Sequence, residues 1–213
     1  MHHWRAILFD IGGVLVRTED PAPRQRLAQQ YGLSREGLEN LVFGSPVSLA
    51  AERGEASEED VWQFVRRSLH LNEAALVEFK RDFWAGDRLD QTLVAWLAKK
   101  RSHFRIGLLT NCWSREPLTY YSTLLGLPDH SLAGAVDAVV SSAQVGVRKP
   151  HPRIFEAILQ VLGVPPGESI FVDDFLENVE GARALGMTGI HFRKREDVLS
   201  ALDRMLHGGR LHE

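Results

Sequence analysis

The sequence has little of the features that mark several specialised classes of protein. Its 213 residues include one cysteine, Cys112, which excludes an internal disulfide framework and is typical of a reducing compartment. No apolar run approaches the roughly 20 residues that a membrane-spanning helix needs. The first ten residues, MHHWRAILFD, lack the apolar stretch of a secretory signal. We therefore expect a cytoplasmic protein with no membrane partner.

Excess positive charge is also missing. The formal net charge is −3, so no basic field favours a nucleic acid, and we expect no nucleic-acid partner. The sequence shows no internal repeat and no low-complexity tract. With 44% hydrophobic residues, the chain can bury the core of one large domain, or of one domain with an insertion. These properties bound size and compartment but do not indicate a function.

Five short apolar runs recur along the chain, and four of them end at a polar residue. They are RAILFD, RIGLLTN, DAVVSS, SIFVDD and TGIHF. The runs are continuous rather than alternating, which is typical of strands that are covered on both faces. Helical stripes lie between them, such as Leu93, Trp96 and Leu97. Strands that alternate with helices in this way predict a parallel sheet with right-handed crossovers.

The stretch at residues 18–87 departs from this alternation. It contains no convincing strand, only helical segments such as PRQRLAQQYGL, SREGLENLVF and EEDVWQFVRRSLHL. The sequence SEED at Ser57 to Asp60 resembles a capping box that opens the third segment. We therefore predict an α/β protein with a Rossmann-like parallel-sheet core, residues 1–17 and 88–213, and an inserted helical domain, residues 18–87.

Polar side chains stand at the ends of the predicted strands or shortly after them. They are Asp10, Thr110, Asn111, Lys149, Asp173 and Asp174. The carboxyl ends of parallel strands converge on one crevice, so these side chains are expected to meet there. Carboxylates this close raise one another's pKa unless a cation lies between them. Lys149 is one such cation, and Mg²⁺, which prefers a few oxygen ligands, is the other that we expect.

This set of groups suits group transfer through a covalent intermediate. A fixed carboxylate such as Asp10 can attack an electrophilic centre, as in enzymes that form an aspartyl phosphate. Lys149 and the metal would neutralise the transferred group, and Thr110 with nearby backbone N–H groups would bind its oxygens. Each motif alone is weak, but four motifs in this order on alternating strands are a strong signal.

The four motifs resemble those of the haloacid dehalogenase-like hydrolase superfamily, over essentially the whole chain. The first is FDIGGVLV, in which Asp10 matches the nucleophile. In the second, LLTN, Thr110 matches the phosphate-binding residue, and the third, GVRKPHPRIF, carries Lys149. The fourth, IFVDDFLENVEGARALGM, is the most specific, and its Asp173 and Asp174 match the metal-binding acidic pair.

The resemblance implies a full set of functional residues. Asp10, Thr110 and Lys149 would be catalytic, and Thr110, Asn111 and Lys149 would bind substrate. The Mg²⁺ ligands would be Asp10, the Gly12 carbonyl and Asp174, with Asp173 nearby, and Asn178 would be a supporting polar group. The inserted helices match the family's cap, which closes over small substrates. We therefore expect a Mg²⁺-dependent phosphatase for a small phosphorylated metabolite, acting as a monomer or a homodimer.

Gly12 departs from the pattern of most phosphatases in that superfamily, which have a second Asp at this position. A glycine keeps the carbonyl that binds metal but loses the general acid–base side chain, whose help is worth about 10²- to 10⁴-fold in rate. Three explanations remain open. Another group, such as Glu19, Asp20 or a cap residue, replaces the acid; the protein cleaves carbon–halogen bonds; or it is a binding or regulatory protein with negligible turnover. Asp173 and Asp174 argue against the second.

Overall fold

The centre of the molecule is a five-stranded parallel sheet. The computed structural model describes residues 4–128 and 132–207. The strands, in chain order, are β1 (Ala6–Phe9), β2 (Val16–Thr18), β3 (Asp87–Leu89), β4 (Arg105–Thr110), β5 (Ala138–Ser141), β6 (Ser169–Asp173) and β7 (Thr188–His191). Five of them form the sheet in the order β5-β4-β1-β6-β7, with every pair parallel. The predicted α/β class and all five predicted strands are confirmed.

Helices cover the sheet on both faces and also form a separate block. They are α1 (Ala22–Gln30), α2 (Arg35–Phe43), α3 (Pro46–Ala51), α4 (Glu58–Ser68), α5 (Glu73–Trp84), α6 (Gln91–Lys100), α7 (Pro117–Leu125), α8 (Ser142–Val145), α9 (Pro152–Leu162), α10 (Leu176–Ala184) and α11 (Arg195–His207). Two 3₁₀ turns lie at Ala133–Ala135 and Pro166–Glu168. None of the helices within the described residues is both long and apolar enough to cross a bilayer.

The central strand β1 shows why the apolar runs of the sequence are continuous. Ile7 and Phe9 pack into the hydrophobic cluster on one face of the sheet, and Ala6 and Leu8 pack into the cluster on the other. All four side chains are fully buried. Because successive side chains point to opposite faces, a strand covered on both sides needs an apolar residue at every position.

Helix α9 illustrates how the flanking helices are fixed. It begins after His151, whose side chain accepts from the N–H of Arg153, and it ends at Gly163, which adopts the left-handed conformation with φ of 67°. Its apolar stripe is buried against the sheet, and the ring of Phe155 packs edge-on against Phe171 of β6 with centroids 5.3 Å apart.

Helices α1 to α5 form a block between β2 and β3, which we name the helical insert. The insert has its own core, in which Trp62, Phe79 and Phe83 are essentially inaccessible to solvent. Four of its helices begin at a side chain that accepts from a backbone N–H of the first turn, namely Ser34, Ser45, Ser57 and Asn72. The predicted capping box of Ser57 and Asp60 is confirmed.

Strands β2 and β3 form an antiparallel pair at the two points where the chain enters and leaves the helical insert. Val16 pairs with Leu89 and Thr18 with Asp87. The buried Arg24 of α1 donates to both carboxylate oxygens of Asp87, at 2.9 and 3.0 Å. The sequence did not predict this pair, because each strand has only three residues and no apolar run. It ties both ends of the insert to one place.

Truncation of the buried aromatic ring of α9 tests the sheet packing. Phe155→Ala should lower the free energy of unfolding by about 3–5 kcal/mol, because it removes a fully buried side chain and leaves a cavity. Val161→Ala on the same helix is the matched control, since Val161 is 66% exposed and its truncation should change stability by less than about 0.5 kcal/mol. Urea denaturation measures both variants, and equal effects would contradict the packing described for α9.

Candidate active site

Three neighbouring strands deliver the polar side chains of three of the four motifs to one edge of the sheet. Asp10 directly follows β1, Thr110 ends β4 and Asp173 ends β6, and these strands lie side by side. Asp174 follows Asp173, and ligand oxygens of Asp10, Asp173 and Asp174 lie within 4.8 Å of one another. The structure therefore brings together side chains that are 163 and 164 residues apart in sequence.

Lys149 lies at the centre of this cluster and is almost completely buried. Its Nζ is 2.9 Å from Asp10 Oδ1 and 2.7 Å from Asp173 Oδ2, and it donates to the carbonyl of Leu109 at 2.9 Å. These three contacts can use all three protons of the ammonium group. The lysine thus holds the ends of β1, β4 and β6 together and has no proton left over.

The charges of the cluster are not balanced by Lys149 alone. Burial lowers the pKa of Lys149, but the charges of Asp10 and Asp173 outweigh burial and leave the pKa raised. Burial raises the pKa of Asp10 well above its ordinary value, although Lys149 opposes the shift. Burial, with the charge of Asp173, raises the pKa of Asp174 to about 6. Three carboxylates against one ammonium leave an excess of negative charge.

The two acidic residues after β6 differ in their partners. Asp173 Oδ1 accepts from the backbone N–H of Phe175 at 2.8 Å and from Asn178 Nδ2 at 3.0 Å, while its Oδ2 accepts from Lys149. By contrast, Oδ1 of Asp174 is buried and has no hydrogen-bond partner among the described residues. A buried carboxylate oxygen without a donor is costly unless a cation binds it. The donor set therefore fits a hard divalent cation such as Mg²⁺, with Asp174 as the freer ligand.

The glycines after Asp10 stand in different environments. Gly13 has a φ of +78°, and a Cβ at this position would overlap the carboxylate of Asp174, so the close approach requires glycine. Gly12 lines the same cavity as Asp10 and Asp174 but is not in the left-handed region. A Cβ on Gly12 would meet only one heavy atom within 4 Å, the hydroxyl of Tyr121, at 3.4 Å.

Thr110, the last residue of β4, and Asn111, which follows it, lie at the same edge of the sheet. The Oγ1 of Thr110 is 3.3 Å from the hydroxyl of Tyr121. The side chain of Asn111 accepts from the backbone N–H of Lys149 at 2.9 Å and donates to the carbonyl of Lys149 at 3.3 Å. Asn111 therefore fixes the backbone that carries the buried lysine. Thr110 and Asn111 also line the cavity.

A cavity of about 1070 Å³ lies between this edge of the sheet and the helical insert. It is lined from the sheet side by Asp10, Thr110 and Asp174, and from the insert by residues such as Phe43 and Glu52. Its volume is slightly above the upper end of the range of about 300–1,000 Å³ that is usual for small-molecule sites. The cavity can therefore hold an organic molecule with a phosphate-sized anion at the sheet edge.

The two acids suggested as replacements for the missing carboxylate lie elsewhere. Glu19 is exposed and pairs with Arg17 at 2.7 Å, and Asp20 accepts from the N–H of Ala22 at 2.9 Å. Neither is among the residues that line the cavity. An acid from the helical insert, Glu52, does line the cavity, and burial raises its pKa despite its ion pair with Arg148.

Sequence patterns did not single out three residues at this site. Two of them are Arg148 and Glu52, which line the cavity and form an ion pair between the loop before Lys149 and the insert. The third is Tyr121, which lies in α7, the helix that follows β4 in the chain, and contacts Thr110. These residues become neighbours only in the folded protein. No spacing in the sequence indicates that they would meet.

The sheet, the strand-end carboxylates and the insert after the first strand define a class of α/β hydrolases. Residues 4–186 match the model of the haloacid dehalogenase-like hydrolases, and the chain belongs to this family, as its four motifs predicted. The chain is 30% identical to Phosphatase MT3486 of Mycobacterium tuberculosis over 187 residues, which cover 85% of this chain and 84% of that protein.

Other relatives and solved structures are similar over most of this chain. Sesquiterpene phosphatase astK of Aspergillus oryzae is 26% identical over 88% of the chain and 89% of its own length. Drimenol cyclase drtB of Aspergillus calidoustus is a longer protein with 26% identity to this chain. The matched region covers 91% of this chain and 35% of drtB. A HAD-like family hydrolase from Porphyromonas gingivalis matches with a TM-score of 0.76 and 26% identity over 96% of this chain and 98% of that one.

A further solved structure supports the fold alone. The HAD family enzyme bt-2542 of Bacteroides thetaiotaomicron, in a complex with magnesium and inorganic phosphate, matches with a TM-score of 0.73 at 19% identity. The matched region covers 91% of this chain and 96% of that one.

The contrast between the two glycines can be tested by adding a single methyl group. Gly13→Ala should lower the free energy of unfolding by at least about 1–2 kcal/mol, because a Cβ is disfavoured in the left-handed region and would displace the Asp174 carboxylate. Gly12→Ala should stay within about 1 kcal/mol of the wild type, because its φ is ordinary and its Cβ makes a normal contact. Denaturant unfolding compares the two, and an equal or larger loss for Gly12→Ala would contradict the geometry.

Proposed function

We propose that the protein is a Mg²⁺-dependent phosphatase that hydrolyses a small phosphate monoester through a phosphoenzyme on Asp10. The observation that carries this proposal is the buried cluster in which Lys149 joins Asp10 to Asp173 while Asp174 keeps an unpartnered oxygen. The phosphatase names of MT3486 and astK support the same reaction class. In this chemistry, a carboxylate acts as the nucleophile, and neighbouring charged groups stabilise the negative charge of the transferred group.

The contacts of Asp10 assign its two oxygens to different tasks. Oδ1 accepts from the N–H of Ile11 at 2.6 Å and pairs with Lys149, so Oδ2 is the oxygen that attacks phosphorus. The new bond joins Oδ2 to phosphorus, and the ester oxygen departs with the electron pair of the broken P–O bond. Water then hydrolyses the phosphoenzyme, which releases orthophosphate and restores the carboxylate.

Other residues orient the phosphoryl group and balance its charge. Lys149 keeps its positive charge because two carboxylates face it, and it offsets part of the charge that gathers on the phosphoryl oxygens. The hydroxyl of Thr110 binds one of these oxygens, and Asn111 holds the loop in place and faces the substrate. Each of these groups is fixed before substrate binds, so little reorganisation is needed during the reaction.

Mg²⁺ would be held by Asp10, Asp174 and the carbonyl of Gly12, with Asp173 in support. When bound, the ion neutralises the excess negative charge of the carboxylates and of the phosphate. The unpartnered Oδ1 of Asp174 and the three clustered carboxylates support this site. The enzyme bt-2542, whose fold is similar, was crystallised with magnesium and phosphate.

We further propose that residues 18–87 act as a cap over a core of residues 1–17 and 88–213. The cavity between the two supports this division, as do the contacts that cross it. Trp113 of the core donates to Ser48 of the insert at 2.9 Å and packs within the core of the insert. The substrate is a small phosphorylated metabolite, and the protein is a cytoplasmic monomer or homodimer.

Gly12 favours one alternative, a phosphate- and metal-binding protein with negligible turnover, because no carboxylate follows Asp10 at that position. A dehalogenase is a weaker alternative, because halide release needs no metal and this site has an acidic pair. Two assays separate the three candidate functions: incubation with p-nitrophenyl phosphate and Mg²⁺, and incubation with a haloacid without metal. Mg²⁺-dependent phosphate release supports the phosphatase, metal-independent halide release from a haloacid supports the dehalogenase, and silence in both assays supports the binding protein.

Removal of the proposed nucleophile should abolish turnover without unfolding the protein. Asp10→Asn keeps the shape of the side chain and leaves Asp173 paired with Lys149, so the variant should fold but lose phosphate release by at least about 10³-fold. Glu168→Gln removes a carboxylate from a partly exposed ion pair on the surface and should retain full activity. Phosphate release is measured in parallel with circular dichroism. Wild-type turnover by Asp10→Asn would exclude the phosphoenzyme.

Metal binding can be tested without turnover. Addition of Mg²⁺ at about 100 times its dissociation constant should stabilise the wild type by about 2.7 kcal/mol, because the ion binds only the folded state. Asp174→Asn should lose this gain and, without metal, should be at least as stable as the wild type, because one buried negative charge is removed. Asp82→Asn, at an exposed carboxylate, keeps the gain. A Mg²⁺ effect that survives in Asp174→Asn would contradict the proposed site.

A further inference from the structure

The glycine at position 12 is not required by the backbone. Its neighbour Gly13 has positive φ and no room for a side chain, whereas Gly12 has neither restriction. The space beside Gly12, into which a longer side chain would project, already contains the hydroxyl of Tyr121, 3.4 Å from the place of a Cβ. Position 12 therefore has no side chain in the loop after β1, and the hydroxyl of Tyr121 reaches the same space from α7.

The position of the Tyr121 hydroxyl is set by packing. Tyr121 lies on α7 (Pro117–Leu125), is 7% exposed and belongs to the hydrophobic cluster on one face of the sheet. Its ring contacts Tyr120 edge-on, with centroids 5.2 Å apart. Tyr121 lines the cavity, and its hydroxyl lies 3.3 Å from Oγ1 of Thr110, which lines the same cavity. A side chain held in this way loses little entropy when it binds substrate.

The chemical state of Tyr121 suits a hydrogen-bond donor. A phenol is protonated at neutral pH, and burial raises the pKa of Tyr121 well above its ordinary value. Among the described residues, its polar partner is the hydroxyl of Thr110, which can act as donor or acceptor, so the Tyr121 proton is available to another oxygen in the cavity. The groups that would compete for it on the substrate side are the phosphoryl oxygens and the ester oxygen.

We propose that Tyr121 is a further catalytic residue, whose hydroxyl donates a hydrogen bond to the departing ester oxygen in place of the carboxylate that Gly12 lacks. This inference rests on the proposed function. When Asp10 Oδ2 bonds to phosphorus, the ester oxygen leaves with the P–O electron pair, and the hydrogen bond stabilises the growing negative charge. A cavity water protonates the departing alkoxide, and the resulting hydroxide attacks the phosphoenzyme, so that one water is consumed for each ester cleaved.

Leaving-group dependence is the readout that separates this role from a merely structural one. Tyr121→Phe removes only the hydroxyl and keeps the ring. With p-nitrophenyl phosphate, whose leaving group needs little help, kcat/KM should fall less than about 3-fold. With alkyl phosphates, whose leaving oxygen carries nearly full charge, it should fall about 10- to 100-fold, as expected for a hydrogen bond to a charged group. A loss of equal size for every leaving group, or no loss, overturns the inference.

The matched control is Tyr31→Phe, because the hydroxyl of Tyr31 contacts Gln30 at the surface of the insert. This variant should behave as the wild type with every substrate. Thermal unfolding of both variants verifies that each is folded at the assay temperature.

Rescue provides a second measurement. Gly12→Asp alone places a carboxylate in the space that the Tyr121 hydroxyl occupies. In the double variant Gly12→Asp/Tyr121→Phe, the carboxylate has that space to itself and should recover alkyl phosphate hydrolysis at least 10-fold over Tyr121→Phe. If Gly12→Asp changes alkyl phosphate hydrolysis by the same factor in the wild type and in Tyr121→Phe, the two side chains do not share this space, and the inference is overturned.

The two proposals fail in distinguishable ways. If the wild type releases no phosphate from any substrate with Mg²⁺, the proposed function falls and the role of Tyr121 falls with it. If the wild type is active and Tyr121→Phe loses activity without regard to the leaving group, only the role of Tyr121 is overturned.

Discussion

The buried ammonium of Lys149 is the constraint on which the rest of the site depends. It lies within 2.9 Å of Asp10 and of Asp173, and of the carbonyl of Leu109, so it ties three adjacent strands together at their carboxyl ends. Without it, three carboxylates would share a buried volume with no charge to oppose them. With it, two net negative charges remain, and the Asp174 oxygen that has no partner among the described residues is a candidate ligand for a second cation. The ion pairs of Lys149 thus hold the strand ends together and also set the charge of the candidate site.

Much of the core could be predicted because the sheet imposes its periodicity on the sequence. Strand β1 is apolar at every position since Ala6 and Leu8 face one cluster and Ile7 and Phe9 the other. The polar residue at the end of each run then marks the edge where parallel strands meet. Local rules of this kind also predicted the capping box of α4.

The remaining features depend on contacts between distant segments. The pair of β2 and β3 has three residues in each strand, and its polar members are stabilised by Arg24 rather than by an apolar pattern. Tyr121 meets Thr110 only because α7 packs against β5, the neighbour of β4 in the sheet, and Arg148 meets Glu52 only because the insert packs over the loop. A single sequence shows which residues are present at such sites but not which of them become neighbours.

Trp113 has a consequence for how substrate reaches the cavity. The indole belongs by sequence to the loop just after Thr110, yet it packs among the aromatic rings of the insert, 5.7 Å from Trp62 and 5.9 Å from Phe43 between centroids. A rotation of the insert away from the sheet must either withdraw this ring from its neighbours or pull the loop along. In the phosphatase that we propose, entry of substrate is therefore mechanically linked to the position of the Thr110 hydroxyl, and the proposed phosphate-binding geometry is complete only while the insert and the sheet are in contact.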